Sequence, residues 1–291
     1  MEIAIHLGAH CTDGDLIVQT LRRNGTMMAE RSLAIPPHRT FRPALRRALR
    51  AVGEDPLAEA AASHVSFLDE IEERRVILSY EAFLAANDDV LLGSAIYPEA
   101  GIRCGRLQDL FGGHDVSFLM ALRNPATFIP ALYEASSEET FATFLAGSDL
   151  AGLRWSHTVA AIRKACPNVP MTLWCNEDLP LIWPDVLCAV AGVAPGSVPA
   201  LDGSDAVLHR VMTPEGLARL KNYLVGRPPD GPASRRRIVS AFLAKYADEA
   251  AVAPEIALEG WTEDVIAGLS AIYESDVARI AARADLRFIA S

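Results

Sequence analysis

Residues 2 to 8, "EIAIHLG", alternate polar and apolar positions, run apolar, and meet a glycine. A short apolar segment closed by a turn signal predicts a buried strand. Helical spacing follows over 15–24 and stops at Asn24-Gly25. "SLAIPPHRTF" predicts a loop leading into the helical pattern "FRPALRRALRAVG", and 56–73 predicts another helix. "RRVILSYEAFL" predicts a buried strand ending near Ser79 with a helix after it. A helix over 100–112 is stopped by Gly112-Gly113, and "DVSFLMALRNP" predicts a strand ended by Asn124-Pro125. Helical patterns fill 126–146 and 151–165. "VPMTLWCNED" predicts a further inner strand, followed by a helix over 181–192.

Apolar runs that alternate with helices predict a parallel sheet covered on both faces, a three-layer α/β fold. After residue 195 strands nearly vanish. "GVAPGSVPALDGSDA" reads as a connector, and helices are predicted over 214–226, 232–247 and 262–284, with "LRFIAS" as a short edge strand. The organisation expected is a single domain, 1–291, with an α/β core over 1–195 and a mostly helical extension over 196–291.

Composition narrows the partners. Of the 291 residues, 51% are hydrophobic and 22% charged, enough to bury a core. A net charge of −10 argues against nucleic acid, which selects a positive surface. No apolar run approaches the roughly 20 residues of a transmembrane helix. "MEIAIHLG" shows no basic leader pattern. Five cysteines, an odd number with no C-x-x-C pair, argue against a disulfide scaffold or zinc ribbon and fit a reducing cytoplasm.

In open parallel sheets, ligands bind outside the carboxyl ends of the strands. The positions that matter are therefore 8–15, 79–81, 123–125 and 175–178. Cys11 at a helix start could be a reactive thiol, although Asp13 and Asp15 would raise its pKa. His6, His10, Cys11 and Asp13 are metal-ligand types without a completing partner, so no metal is expected. Glu81 is the best general-base candidate, or else a first-turn helix glutamate. Arg123, at the end of an apolar strand, either binds an anion or pairs with Glu81 or Glu177. Trp155 and His157, early in a helix, are candidates to line a ligand pocket.

Two of these exits carry a resemblance. "IHLGAHCTDGDLIVQTL" resembles the strand–loop–helix of sulfotransferases that use 3′-phosphoadenosine 5′-phosphosulfate (PAPS), whose loop usually reads G-x-x-K-T/S-G-T-T. "VSFLMALRNPATFIPALYEAS", about 110 residues on, resembles their strand ending in R-N/D-P. "VILSYEAFL" and "WTEDVIAGLSAIYESDVARIAA" resemble a strand exit and a closing helix of bacterial members. The resemblance implies a P-loop NTPase/sulfotransferase-like fold. It further implies PAPS or 3′,5′-adenosine diphosphate on Gly8, Ala9, His10, Cys11, Thr12, Gly14 and Arg123. Thr12 would assist, Glu81 would serve as base, and the acceptor would be a small molecule or carbohydrate.

The departures from that pattern are chemical. Cys11 stands where the family has lysine, Asp13 where it has the loop glycine, and Gly14 and Asp15 where it has hydroxyl residues. Ala131 stands where a serine usually assists the arginine. A phosphate loop needs convergent backbone amides and positive charge. Two like charges about 4 Å apart repel by about 1 kcal/mol in water and about 4 kcal/mol at an effective dielectric near 20. The carboxylates therefore oppose phosphosulfate. They either cap the helix themselves, face solvent while Arg22, Arg23 or Arg235 supplies charge, or hold a divalent cation. The expectation is a sulfotransferase-like protein with an altered donor site, more a ligand- or partner-binding relative than an ordinary enzyme. The alternative is sulfuryl transfer from PAPS to a hydroxyl or amine.

Overall fold

The computed structural model describes residues 1–54, 65–195, 201–252 and 256–291, with side chains of 48–54 left out. Its centre is a six-stranded sheet: β1 (Glu2–His6), β2 (Leu33–Ala34), β3 (Arg75–Ser79), β6 (Asp115–Leu122), β7 (Met171–Cys175) and β8 (Arg287–Ile289). The spatial order is β2-β3-β1-β6-β7-β8, and every pairing is parallel. A two-stranded antiparallel hairpin, β4 (Leu91–Leu92) and β5 (Ala95–Ile96), stands apart.

The strands are nearly solid apolar runs because both faces are covered. Along β1 the side chains alternate between two cores. Ile3 and Ile5 join Leu78, Phe118, Met120 and Leu173 on one face. Ala4 joins Ile77, Leu119, Ala121 and Trp174 on the other, under Trp183 and Leu187 of the helix Leu179–Ala191. A separate small core, Leu208, Met212, Leu217, Leu220 and Val239, holds the helices Pro214–Gly226 and Pro232–Tyr246 together. The three-layer α/β architecture with a helical C-terminal part is as expected, and "LRFIAS" does supply the edge strand β8.

Several boundaries differ. Asn24-Gly25 does not end helical structure but restarts it, as Gly25–Glu30. The segment read as a loop contains β2, a two-residue strand held by pairing with β3. After Ser79 there are only single 3₁₀ turns, Glu81–Phe83 and Asn87–Asp89, then the hairpin. The expected helix over 126–146 is two helices, Pro125–Glu134 and Phe141–Phe144. Of the expected helix over 56–73, residues 56–64 lie outside the described residues, and the remainder holds a short 3₁₀ turn, Ser66–Leu68. No helix among the described residues is long and apolar enough to cross a membrane.

Candidate functional site

β1 sits between β3 and β6. The chain leaves β1 toward β2 and β3 on one side, then crosses to β6 and β7 on the other. The order reverses beside β1, which makes the gap between the β1 and β6 carboxyl ends the topological switch point where such sheets bind ligands. Loop 7–15 and Arg123 both lie there.

Gly8 is where the loop begins to turn. Its φ is +99°, and a Cβ would stand 3.2 Å from the Glu81 Cα, so both conformation and space require glycine. The Gly8 carbonyl accepts the Ala121 amide at 2.7 Å, tying the loop to β6. His10 turns inward: its amide donates to the Tyr97 hydroxyl at 2.9 Å, and its Nδ1 lies 2.8 Å from the same oxygen. Burial lowers the His10 pKa to about 4. The loop therefore rests on a neutral imidazole. Thr12 Oγ1 donates back to the Ala9 carbonyl at 2.7 Å.

The two aspartates part company. Asp13 is buried, and its Oδ2 accepts the Ile17 amide at 3.0 Å, capping the helix Leu16–Arg23 from within. Asp15, at φ 62°, turns outward to Arg42, whose Nη2 donates to Oδ1 at 2.9 Å, with His38 Nδ1 at 3.7 Å. Burial first, then Arg42, lowers the His38 pKa, so at neutral pH Arg42 is the charged partner. Cys11 Sγ meets the Ala131 carbonyl at 3.4 Å, and burial raises its thiol pKa, which argues against a reactive thiolate.

Arg123 pairs with neither Glu81 nor Glu177 among the described residues. Its Nη1 donates to the Cys11 carbonyl and its Nε to Thr127 Oγ1 at 3.2 Å. Its own carbonyl accepts Trp155 Nε1 at 2.8 Å. Nη2 has no partner among the described residues. The R-N-P triplet is helix-start grammar as well: Asn124 Oδ1 accepts the Ala126 amide at 3.0 Å, and Pro125 takes the first turn. Asn124 Nδ2 reaches Ser270 at 2.9 Å. Glu177 is fully engaged, accepting the Asn124 amide at 2.8 Å and the Tyr273 hydroxyl at 2.9 Å.

These groups border a cleft of about 550 Å³ between the carboxyl end of the sheet and the C-terminal helices. Thr12, Asp13, Arg123, Asn176 and Glu177 form its polar floor, and Leu16, Leu181, Val207, Val211, Leu243 and Val252 its aliphatic wall. The volume lies within the range of about 300–1,000 Å³ usual for small-molecule sites. Asn176 Oδ1 is buried without a donor among the described residues. Arg210 reaches across the cleft, with Nη1 3.2 Å from the Asp13 carbonyl. Sequence reading missed Arg210, which lies 197 residues from Asp13 and carries no local signal. Of the cations it did name, Arg22 donates to the Ile35 and Pro36 carbonyls, and Arg235 to the Ser204 carbonyl.

Trp155 and His157 do not form a pocket with the loop. Trp155 is 1% exposed and packs on Tyr97 and Phe128 behind Arg123, while His157 is exposed and does not line the cleft. Glu81 packs against Gly8 and does not line the cleft. Partial burial, then Asp15, raises its carboxyl pKa, against the pull of Arg42. A second hollow of about 400 Å³ is bordered by Tyr80, Ala82, Arg46, Arg103 and Arg106. No group of three or more His, Cys, Asp or Glu that could hold a metal ion occurs among the described residues. No protein-family model matches the chain, and no curated protein is significantly similar to it in sequence.

Proposed function

We propose that the chain is a sulfotransferase-like binding protein that has kept the cleft at the switch point and given up the phosphosulfate site. The observation that carries this reading is the Asp13 carboxylate. It lies in the cleft lining and caps the helix whose N-terminus would otherwise receive an anion. Arg123 adds to it, because one of its donors is already bonded to the Cys11 carbonyl. A 5′-phosphosulfate placed there would meet a buried carboxylate and no lysine. The free cysteines, four of them buried, suit a reducing cytoplasm. The test is calorimetric titration with 3′,5′-adenosine diphosphate. No binding at millimolar nucleotide is the expected result. Micromolar binding that Arg123→Ala removes would overturn the reading.

One observation favours the alternative, a sulfotransferase acting on a hydroxyl or amine acceptor. Glu81, its pKa raised, adjoins the loop and the second hollow, where a general base would stand. That reading requires sulfuryl transfer from PAPS which Glu81→Gln abolishes.

A further inference from the structure

The cleft offers more than the loss of one ligand, because its uncommitted groups have a sign and its walls have a texture. Asp13 and Glu177, the carboxylates facing it, are spent on Ile17, Asn124 and Tyr273. Apart from Asn176 Oδ1 and the second oxygen of Asp13, the groups left over among the described residues are donors. Arg123 Nη2 has no partner among the described residues, and Arg210 is exposed at the mouth with a single bond to the Asp13 carbonyl. The amides of residues 13 to 15 meet no acceptor within hydrogen-bond reach among the described residues. Apart from Arg210 the opposite wall is aliphatic, and no aromatic side chain lines the cleft among the described residues. A purine has no ring to stack on there, whereas an alkyl chain would bury its methylenes against Leu181, Val207, Val211 and Leu243. Two nearby carboxylates disfavour a dianion and tolerate a single charge held by a guanidinium fork.

Resting on the reading of the cleft as a binding site, we infer that its ligand is an aliphatic carboxylate. The single anionic head would sit between Arg123 and Arg210, and a medium-length acyl chain would run along the helices of the C-terminal part.

The experiment is calorimetric titration of the full chain with hexanoate, octanoate and decanoate, with decylamine as the charge-reversed control and 3′,5′-adenosine diphosphate as the nucleotide control. Affinity should rise about fourfold for each methylene that is buried, and decylamine should not bind. Arg123→Gln should weaken decanoate tenfold or more. Because that variant also loosens the loop, Val252→Glu serves as the second. Val252 is 56% exposed, so the substitution leaves the fold intact while placing a carboxylate at the mouth, and it should weaken decanoate several-fold. Decanoate binding that ignores both substitutions, or none up to about 10 mM, overturns the inference. If neither decanoate nor the nucleotide binds, only the acyl ligand falls. If the nucleotide binds, the reading of the altered donor site falls with it.

Discussion

The exits of β1 and β6 are neighbours at the same end of one parallel sheet, and each feeds a turn and then a helix. They solve the same backbone problem differently. At β6, Asn124 caps the helix, Pro125 removes one orphan amide, and Glu177, from the turn after β7, takes the Asn124 amide. At β1, Asp13 caps from inside the loop, and Cys11, Gly14 and Asp15 all adopt positive φ. The amides of residues 13 to 15 stay uncommitted among the described residues. The β6 turn is a closed joint, and the β1 turn holds unusual conformations and free donors beside a cleft. Backbone strain and unspent donors accompany function more often than stability, so the proposed ligand is assigned to the β1 side, with Arg123 as the contribution of β6.

Gly8 offers the harshest way to break this contrast. Alanine there would have to adopt φ +99° with its Cβ 3.2 Å from the Glu81 Cα. The expected loss is about 3 kcal/mol in chemical denaturation. A loss under about 1 kcal/mol would show that the loop is free to relax and that its shape is not imposed.

The buried imidazole beneath the loop comes next. Unfolded His10 titrates near 6.5 and folded His10 near 4, so the unfolded chain takes up the proton first. Its contribution is complete above the unfolded value and is lost as the pH falls toward 4, by up to about 3 kcal/mol. Wild type should therefore lose stability between pH 7 and pH 4 more steeply than His10→Gln. His6, also buried with its pKa lowered, pulls in the same direction in both proteins. Parallel curves would remove the imidazole from the account of the loop.

How much of this was legible depends on sequence distance. Asn124-Pro125 and Asp13 could be read because capping is local, written within a few residues of the helix it starts. The alternation that gave β1, β3, β6 and β7 is likewise local. Asp15 could not be placed, since its outward turn depends on Arg42, 27 residues away. Trp155 reads as a pocket residue early in a helix, yet it is core, because Tyr97 and Phe128 from other segments close over it. β2 carries no signal of its own and exists because β3 presents an open edge.

Asn124→Ala sharpens the comparison from the closed side. It removes the Ala126 cap and the Ser270 bond, and should cost about 1–2 kcal/mol. Decanoate affinity should be unchanged, because neither bond faces the cleft. A large change in affinity would mean that the β6 turn belongs to the site as well as to the scaffold.

The smallest effect expected separates the two aspartates. Asp15→Asn breaks a pair with Arg42 that is 37% exposed on the aspartate side, and such pairs contribute under about 1 kcal/mol. Because Asp15 faces away from the cleft, ligand affinity should not move. Asp13→Asn keeps an oxygen for the Ile17 amide, so it also should cost little stability. It removes a charge from the cleft lining, however, and should strengthen decanoate binding several-fold. The paired titrations therefore read orientation and not charge alone: both substitutions remove one negative charge from the same turn, and only the one aimed inward should be felt by an anion. Equal gains in both variants would mean a diffuse field, and the loop would then be selecting its ligand by net charge.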